Sequence, residues 1–171
     1  MDLGREHRPS GPAAQKGIEF EDMVYRASLG DYTQEHKPER DLAAAISFGQ
    51  RLKGAAYQAR ASKLVDIHGM PINLVGIADF LQAGRIIDIK RVMRYEYGKY
   101  QFSAQHPMYL ELVPPALDFS YLVSNGTDVW TETYRRDETP SIYPIVTDFL
   151  RWLEATGLMP VYLQHWGARA A

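Results

Sequence analysis

Two aspartates and a lysine lie close together in a mostly apolar stretch near the middle of the sequence. Asp79 precedes Ala83-Gly84, while Asp88 and Lys90 follow it. A two-residue turn at Ala83-Gly84 predicts a hairpin in which Asp79 and Asp88 are direct cross-strand neighbours. Two carboxylates facing each other repel unless a positive charge neutralises them. A divalent cation would neutralise them, and the alternation of strand side chains places Lys90 on the same face as Asp88.

A third carboxylate could come from the helix that we expect to begin near Gly17. Magnesium binds through one or two protein carboxylates together with water and phosphate oxygens, so two aspartates are a sufficient ligand set and a third acid would complete it. Glu19 and Glu21 flank Phe20, which belongs to the apolar stripe of this helix. Both glutamates are candidates.

The composition narrows the classes of site that the chain can form. It contains no cysteine, which excludes disulfides, iron–sulfur clusters, thiolate zinc sites and thiol nucleophiles. Any metal must therefore be held by oxygen or histidine, and we expect His68 and His106 to be turn or packing residues rather than ligands. The formal net charge of −2 argues against binding nucleic acid through bulk charge, so such a role requires a local site.

Length and hydropathy predict one domain. The chain has 171 residues, of which 46% are hydrophobic. We expect a flexible N-terminal segment over residues 1–15 and a single domain over 16–171. No run of residues is apolar enough for a membrane span or a signal peptide, so the expected location is cytoplasmic, in a bacterium or a phage-infected host, without a membrane partner.

The predicted secondary structure follows the order α, α, βββ, α, ββ, α. Helices are predicted over 17–30, 41–63, 100–112 and 142–153, and strands over 64–68, 72–81, 85–92, 118–123 and 129–135. The last two strands flank an Asn-Gly pair, a frequent hairpin turn.

These features together resemble the PD-(D/E)XK nuclease superfamily, and specifically its RecB-like branch, which includes phage exonucleases of the lambda type. That core runs α-β-β-β-α-β, with an acid on the first helix, an aspartate ending one strand and (D/E)-x-K on the next. The branch adds Gln-x-x-x-Tyr on the following helix. The matching residues, in order, are Gly17-Ile18-Glu19-Phe20-Glu21, Asp79, Asp88-Ile89-Lys90 and Gln105 with Tyr109.

The resemblance covers about residues 17 to 125 and implies a restriction-endonuclease-like α/β fold, a central mixed sheet flanked by helices. The first acid of the family often follows a glycine by four residues. The spacing from Gly17 therefore favours Glu21 over Glu19. One departure is Ala78, which stands where the family often has proline, although Gly76-x-x-Asp79 is familiar among RecB-like members.

The implied chemistry is metal-dependent phosphodiester hydrolysis, with Mg²⁺ as the cofactor and Mn²⁺ as a substitute. Lys90 would orient the attacking water or stabilise the charged transition state, and Gln105 and Tyr109 would support the site through hydrogen bonds. The implied metal ligands are Glu21, Asp79, Asp88 and the carbonyl of Ile89.

Basic and aromatic residues continue beyond the (D/E)-x-K segment. The candidates for contacts with flanking phosphates are Arg85, Arg91, Arg94 and Lys99. Tyr95, Tyr97, Tyr100 and Phe102 are expected mainly to pack, with stacking on unpaired bases as the alternative.

A single (D/E)-x-K match is weak evidence, because Glu35-His36-Lys37 also fits in a segment predicted to be a polar loop. Asp88-Ile89-Lys90 differs because it lies in an isoleucine-rich strand, where charges need partners. The expected function is a Mg²⁺-dependent deoxyribonuclease that acts on DNA. Its leading form is an exonuclease in phage or bacterial DNA processing or recombination. Further expected partners are a second copy of the chain, in a homo-oligomer, or a phage or recombination protein. The alternatives are an endonuclease of the same fold and a binding subunit without turnover.

Overall fold

A computed structural model describes residues 11–166. Its elements are α1 (Pro12–Ser28), α2 (Glu39–Arg51), β1 (Ala56–Ile67), β2 (Met70–Gln82), β3 (Arg85–Arg91), α3 (Gln105–Leu112), β4 (Asp118–Ser124), β5 (Val129–Arg135), α4 (Tyr143–Ala155) and α5 (Met159–Trp166). The five strands form one sheet in the order β1-β2-β3-β4-β5. Only β3 and β4 pair in parallel, so the fold is α/β with a mixed sheet flanked by helices.

Helices α1 and α2 cover one face of the sheet. Phe20 and Val24 of α1 meet Phe48 of α2, and the two phenylalanine rings make an edge contact with centroids 6.2 Å apart. The helices cross closely because α2 has a glycine at the crossing point: a Cβ on Gly49 would lie 2.5 Å from the Cβ of Ala27. This layer rests on Phe80, Ile87, Ile89 and Leu122 of the sheet, as the alternation along β3 predicts for its two isoleucines.

Helices α3 and α4 pack on other parts of the sheet. Leu110 of α3 lies in a cluster with Ile86 and with the aromatic residues Phe119 and Tyr121 of β4. Leu150 and Leu153 of α4 cover the β1–β2 hairpin around its turn. Because Ile86 and Asp88 alternate with Ile87 and Ile89 along β3, Asp88 lies on the face that α3 covers.

The predicted turn between β2 and β3 is confirmed. Ala83 and Gly84 both have positive φ, 45° and 80°, as a two-residue primed turn requires. The register pairs Gln82 with Arg85 and continues to Phe80 with Ile87. Pairing stops there, one residue before the expected Asp79–Asp88 pair.

The predicted helix over 41–63 is wrong in its second half. Helix α2 ends at Arg51, and Gly54 turns the chain with a φ of 76°. Residues 56–67 form β1, which pairs with β2 along almost its whole length. Alanine favours helices intrinsically, but half-buried and exposed residues alternate along this segment, and pairing with β2 outweighs the local preference.

Other boundaries also shift. The helix predicted over 100–112 begins only at Gln105, because the preceding residues form turns and Pro107 fits only the first turn of a helix. Helix α1 begins at Pro12, so residues 12–15 of the segment predicted to be flexible are helical, while residues 1–10 lie outside the described residues. The last predicted helix corresponds to α4, and α5 follows it. Within residues 11–166, none of the helices combines the length and the apolar character that crossing a bilayer requires.

Gly76 makes the close approach of α3 to β2 possible, and this generates a stability prediction. A Cβ at Gly76 would lie 2.8 Å from the ring of Tyr109 and 2.9 Å from Leu112. We expect Gly76→Ala to lower the free energy of unfolding by about 1–3 kcal/mol through overpacking. Gly17→Ala is the matched control, because Gly17 lies inside α1 with open space around it; alanine there should raise stability by about 0.5–1 kcal/mol. Denaturant unfolding of both variants measures the difference, and equal effects would contradict the packing.

Candidate functional site

Asp79 lies where β2 is irregular on both of its edges. The ladder with β1 pairs Tyr57 with Phe80 and Ala59 with Ala78 but omits Gln58 and Asp79, and Gln58 has a φ of 49°. The ladder with β3 has already ended at Phe80. The carboxylate of Asp79 replaces the missing strand pairing, since the N–H of Ile89 donates to its Oδ2 at 2.7 Å.

Asp88 is the most buried of the candidate acids, with 5% of its surface exposed. Its Oδ2 lies 2.7 Å from Nζ of Lys90, whose side chain is 30% exposed. The side-chain amide of Gln105, the first residue of α3, donates to its Oδ1. The structure therefore brings Lys90 and Gln105 to Asp88; strand alternation predicted the shared face of Asp88 and Lys90, and the resemblance implied only that Gln105 supports the site through hydrogen bonds.

The structure distinguishes the two glutamates of α1. Glu21 is half-buried and accepts a hydrogen bond from the hydroxyl of Tyr57 at 3.0 Å. Its charge acts on Asp79. Glu19 is exposed and accepts a hydrogen bond from Gln15, four residues earlier on α1. Glu21 is therefore the acid of α1 whose charge reaches Asp79, as the spacing from Gly17 favours.

Burial and mutual repulsion make the ionised aspartates costly. Burial, followed by the charges of Asp88 and Glu21, raises the pKa of Asp79 to about 8, although the N–H of Ile89 and the charge of Lys90 oppose the shift. Burial also raises the pKa of Asp88, against the opposing effects of Lys90 and Gln105. Protein groups thus compensate the two carboxylates only in part.

The three carboxylates have the chemistry of a divalent cation site but are not arranged around one point. Within the described part of the chain, no three His, Asp or Glu side chains are gathered as ligands around one point. Each acid turns toward a protein donor instead: Glu21 to Tyr57, Asp79 to Ile89, and Asp88 to Lys90. The donor set nevertheless fits Mg²⁺ or Mn²⁺, because it consists of carboxylate oxygens whose repulsion a cation would relieve.

The backbone adds a further oxygen on the same side. The N–H and C=O groups of one strand residue lie on the same edge of the strand. Since the N–H of Ile89 points toward Asp79, its carbonyl lies on the edge that faces β2. This orientation is compatible with the role expected for Ile89.

Tyr109 forms hydrogen bonds with the backbone of β2. Its hydroxyl donates to the carbonyl of Ile77 at 2.5 Å and accepts from the N–H of the same residue at 3.1 Å. Ile77 lies two residues before Asp79, so Tyr109 holds β2 in place while Gln105, one helical turn earlier, contacts Asp88 directly. Both residues thus contact groups beside the aspartates, and the catalytic role expected for Tyr109 stays a prediction.

The four basic candidates divide into two pairs. Arg85 lies at the turn end of β3 and pairs with Asp118 at 2.6 Å, and Arg91 pairs with Asp41 of α2 at 2.9 Å. Arg91 lies on the opposite face from Asp88, and only 12% of its side chain is exposed, so the structure does not bring it to the acids. Arg94 and Lys99 are exposed on the connection between β3 and α3.

The sequence analysis missed Tyr57. It stacks on Tyr25 with ring centroids 3.9 Å apart, and burial together with the charge of Glu21 raises the pKa of its hydroxyl, which keeps it a neutral donor. An open groove of about 510 Å³ begins at this contact and is lined by residues of α1 and β1 together with Lys37. In the sequence, Tyr57 begins an alternation of apolar and polar residues that is typical of a half-buried strand. The alanine content of the segment favoured a helix instead.

Comparisons with known proteins bear on the fold only. No family model and no curated protein matches the sequence. A solved structure described as "Crystal structure of SSO0001" is similar, with a TM-score of 0.52 and 16% sequence identity over 78% of this chain and 74% of that chain. At this identity the similarity concerns the α/β fold.

The raised pKa of Asp79 predicts how stability varies with pH without metal. A carboxyl whose pKa is higher in the folded state binds more protons there than in the unfolded chain, so stability falls as pH rises through that window. Between the ordinary pKa of an aspartate, 3.8, and the raised pKa of about 8, we expect the free energy of unfolding to fall by roughly 1 kcal/mol per pH unit in EDTA. Asp79→Asn should flatten this dependence, as denaturant unfolding at several pH values would show. An equal slope in both proteins would contradict the burial of a repelled carboxylate.

The two glutamates make a matched pair for metal affinity. We expect Glu21→Gln to weaken Mn²⁺ binding at least about tenfold, because it removes a charge that acts on Asp79. Glu19→Gln should leave the affinity unchanged. Titration calorimetry measures both, and a larger loss in the Glu19 variant would assign the first acid to Glu19.

Proposed function

We propose that the protein is a Mg²⁺-dependent nuclease that hydrolyses phosphodiester bonds. The carrying observation is the meeting of Asp79, Asp88 and Lys90 at the point where β2 separates from β3, with Glu21 within electrostatic reach. Two carboxylates buried beside each other are unfavourable for stability alone, and such arrangements concentrate at functional sites. The proposed metal ligands are Glu21, Asp79, Asp88 and the carbonyl of Ile89.

The bound cation would supply Lewis-acid activation of the phosphate and of an attacking water. The residues of the chain contribute orientation and charge. Lys90 is the partly exposed member of the cluster, so its ammonium can leave Asp88 and donate to a phosphate oxygen or to the attacking water. Gln105 holds one oxygen of Asp88 and thereby fixes the direction of the other. Tyr57 does the same for Glu21.

The order of elements supports assignment to the PD-(D/E)XK superfamily. Helix α1, strands β1 to β3, helix α3 and strand β4 follow one another in the sequence of its restriction-endonuclease-like core. In this proposal α2 is an insertion after the first helix, and β5, α4 and α5 extend the core. The Gln-x-x-x-Tyr pair supports the RecB-like branch, because Gln105 contacts the (D/E)-x-K aspartate and Tyr109 holds the strand that carries Asp79.

We take DNA as the substrate and exonucleolytic cleavage as the leading activity, as the resemblance to RecB-like and lambda-type exonucleases implies. The protein is incubated with end-labelled linear DNA and with covalently closed circular DNA, in Mg²⁺, Mn²⁺ or EDTA. We expect degradation of linear DNA with either metal, none in EDTA, and no attack on the closed circle. Cleavage of the circle would indicate an endonuclease. Binding of DNA without cleavage in the presence of either metal would indicate a binding subunit without turnover.

Substitutions within the (D/E)-x-K segment test the assigned residues. Asp88→Asn and Lys90→Met should each lower the cleavage rate at least about hundredfold, because each removes a charge needed near the phosphate. Glu35→Gln and Lys53→Met are the controls: Glu35 is the exposed acid of the other (D/E)-x-K match, and Lys53 is an exposed lysine between α2 and β1. Their cleavage rates should stay within about twofold of the unmodified protein. Unchanged cleavage in both site variants, with their folding verified by circular dichroism, would refute the site.

A further inference from the structure

The β3–α3 loop, residues 92–104, has both of its ends at the acid cluster. It begins two residues after Lys90 and ends at Gln105, which contacts Asp88. Within the loop, the ring of Tyr100 stacks on Tyr121, whose own ring lies 5.8 Å from Nζ of Lys90. Both ends of the loop are therefore held beside the proposed cleavage site.

Three apolar side chains of the loop face solvent almost completely. Met93 is 92% exposed, Tyr97 80% and Phe102 93%. Met93 and Phe102 are more exposed than any other large hydrophobic residue of the described chain. Exposed apolar side chains that are grouped, as three are on this loop, mark a binding surface, whereas single ones are common on any protein.

The loop that carries these exposed residues is anchored to the sheet. Tyr95 packs against Trp130 with ring centroids 5.0 Å apart, and its hydroxyl donates to the buried Glu132. Tyr100 stacks on Tyr121 with centroids 4.3 Å apart. Of the four aromatic residues in the segment, Tyr95 and Tyr100 thus hold the loop to the sheet, as packing predicts, whereas Tyr97 and Phe102 are left outward.

The charge of the loop favours a polyanion. Arg94 and Lys99 are exposed between the outward apolar residues, and neither forms an ion pair within residues 11–166. Glu96 is the single acidic residue of the loop. Aromatic side chains that alternate with basic ones bind single-stranded nucleic acid, because bases stack on the rings while cations contact the phosphates.

We propose that the β3–α3 loop binds unpaired bases of a nucleic-acid strand beside the scissile phosphate, with Tyr97 and Phe102 as stacking residues and Arg94 and Lys99 as phosphate contacts. The inference rests on the proposed nuclease function and names its substrate as a strand that is single-stranded at the site. A duplex with paired, stacked bases offers these rings nothing to stack on except at its ends. Single-stranded DNA and RNA share the required chemistry.

The test measures the affinity of the full-length protein for labelled oligonucleotides by fluorescence anisotropy in EDTA, which prevents cleavage. The ligands are single-stranded DNA, single-stranded RNA, a closed duplex without ends, and an abasic single strand that keeps the phosphates but lacks bases. We expect the double variant Tyr97→Ala/Phe102→Ala to bind at least one of the two natural single strands at least about tenfold more weakly. Its affinity for the duplex and for the abasic strand should match that of the unmodified protein.

The matched control is Phe149→Ala/Trp152→Ala, which removes a stacked and exposed aromatic pair from α4. Its affinity for every ligand should be unchanged. Tyr97→Trp/Phe102→Trp should retain single-strand affinity, and thermal unfolding verifies that each variant is folded.

Three results would overturn the loop proposal: equal single-strand affinity in the double variant and the unmodified protein, an equal loss on the abasic strand, and no binding of single strands by the unmodified protein. If the first result came with metal-dependent cleavage, the nuclease function would stand without the loop. Loop-dependent binding by a protein that never cleaves DNA or RNA would support the loop and overturn the nuclease.

Discussion

The hydrogen bond from the N–H of Ile89 to the carboxylate of Asp79 is the contact on which the arrangement of the site depends. It exists because β2 loses regular pairing on both edges at Asp79, through the omitted pair with Gln58 on one side and the end of the β3 ladder on the other. A backbone group that lost its partner inside the protein would be costly, so the carboxylate takes the place of a strand carbonyl. This substitution brings a carboxyl group to the centre of the sheet.

The surrounding structure compensates the charges of the neighbouring acids, Asp88 and Glu21, with several partners. Lys90 and Gln105 approach Asp88 from β3 and α3, and Tyr57 approaches Glu21 from β1. Close packing keeps these elements in position: Gly76 lets α3 lie against β2, and Gly49 lets α2 lie against α1. The compensation is incomplete, because burial and repulsion still raise the pKa of both aspartates. A divalent cation is the group that would complete it.

Some of this arrangement could be predicted from the sequence, because it depends on local rules. The Ala83-Gly84 turn sets the register of β2 and β3, and strand alternation places Asp88 and Lys90 on one face. Helical spacing also places Gln105 and Tyr109 one turn apart in α3, as the sequence predicts. Strand β1 could not be found from composition, because its alanines favour a helix while its partner strand imposes an extended conformation. Tyr57 was missed for that reason.

The partners of the charged side chains also could not be predicted from the sequence. Arg91 looked available for phosphate because it follows the (D/E)-x-K segment, yet Asp41, fifty residues earlier in the chain, takes its guanidinium. Such partners become visible only when helix α2 is placed on the sheet. The loop aromatics show the same limit, since Tyr95 and Tyr97 differ by two positions in sequence and by burial in the fold.

The central claim is that Glu21, Asp79 and Asp88 form a divalent cation site. Anomalous diffraction from crystals soaked in Mn²⁺ tests it most directly, because manganese scatters anomalously and its position can be read without a model of the ligands. The account predicts a peak at about 2.0–2.3 Å from carboxylate oxygens of Asp79 and Asp88. Lys90 would then have moved off Asp88. Saturating Mn²⁺ that leaves the Lys90–Asp88 pair intact, with no peak at the aspartates, would contradict it.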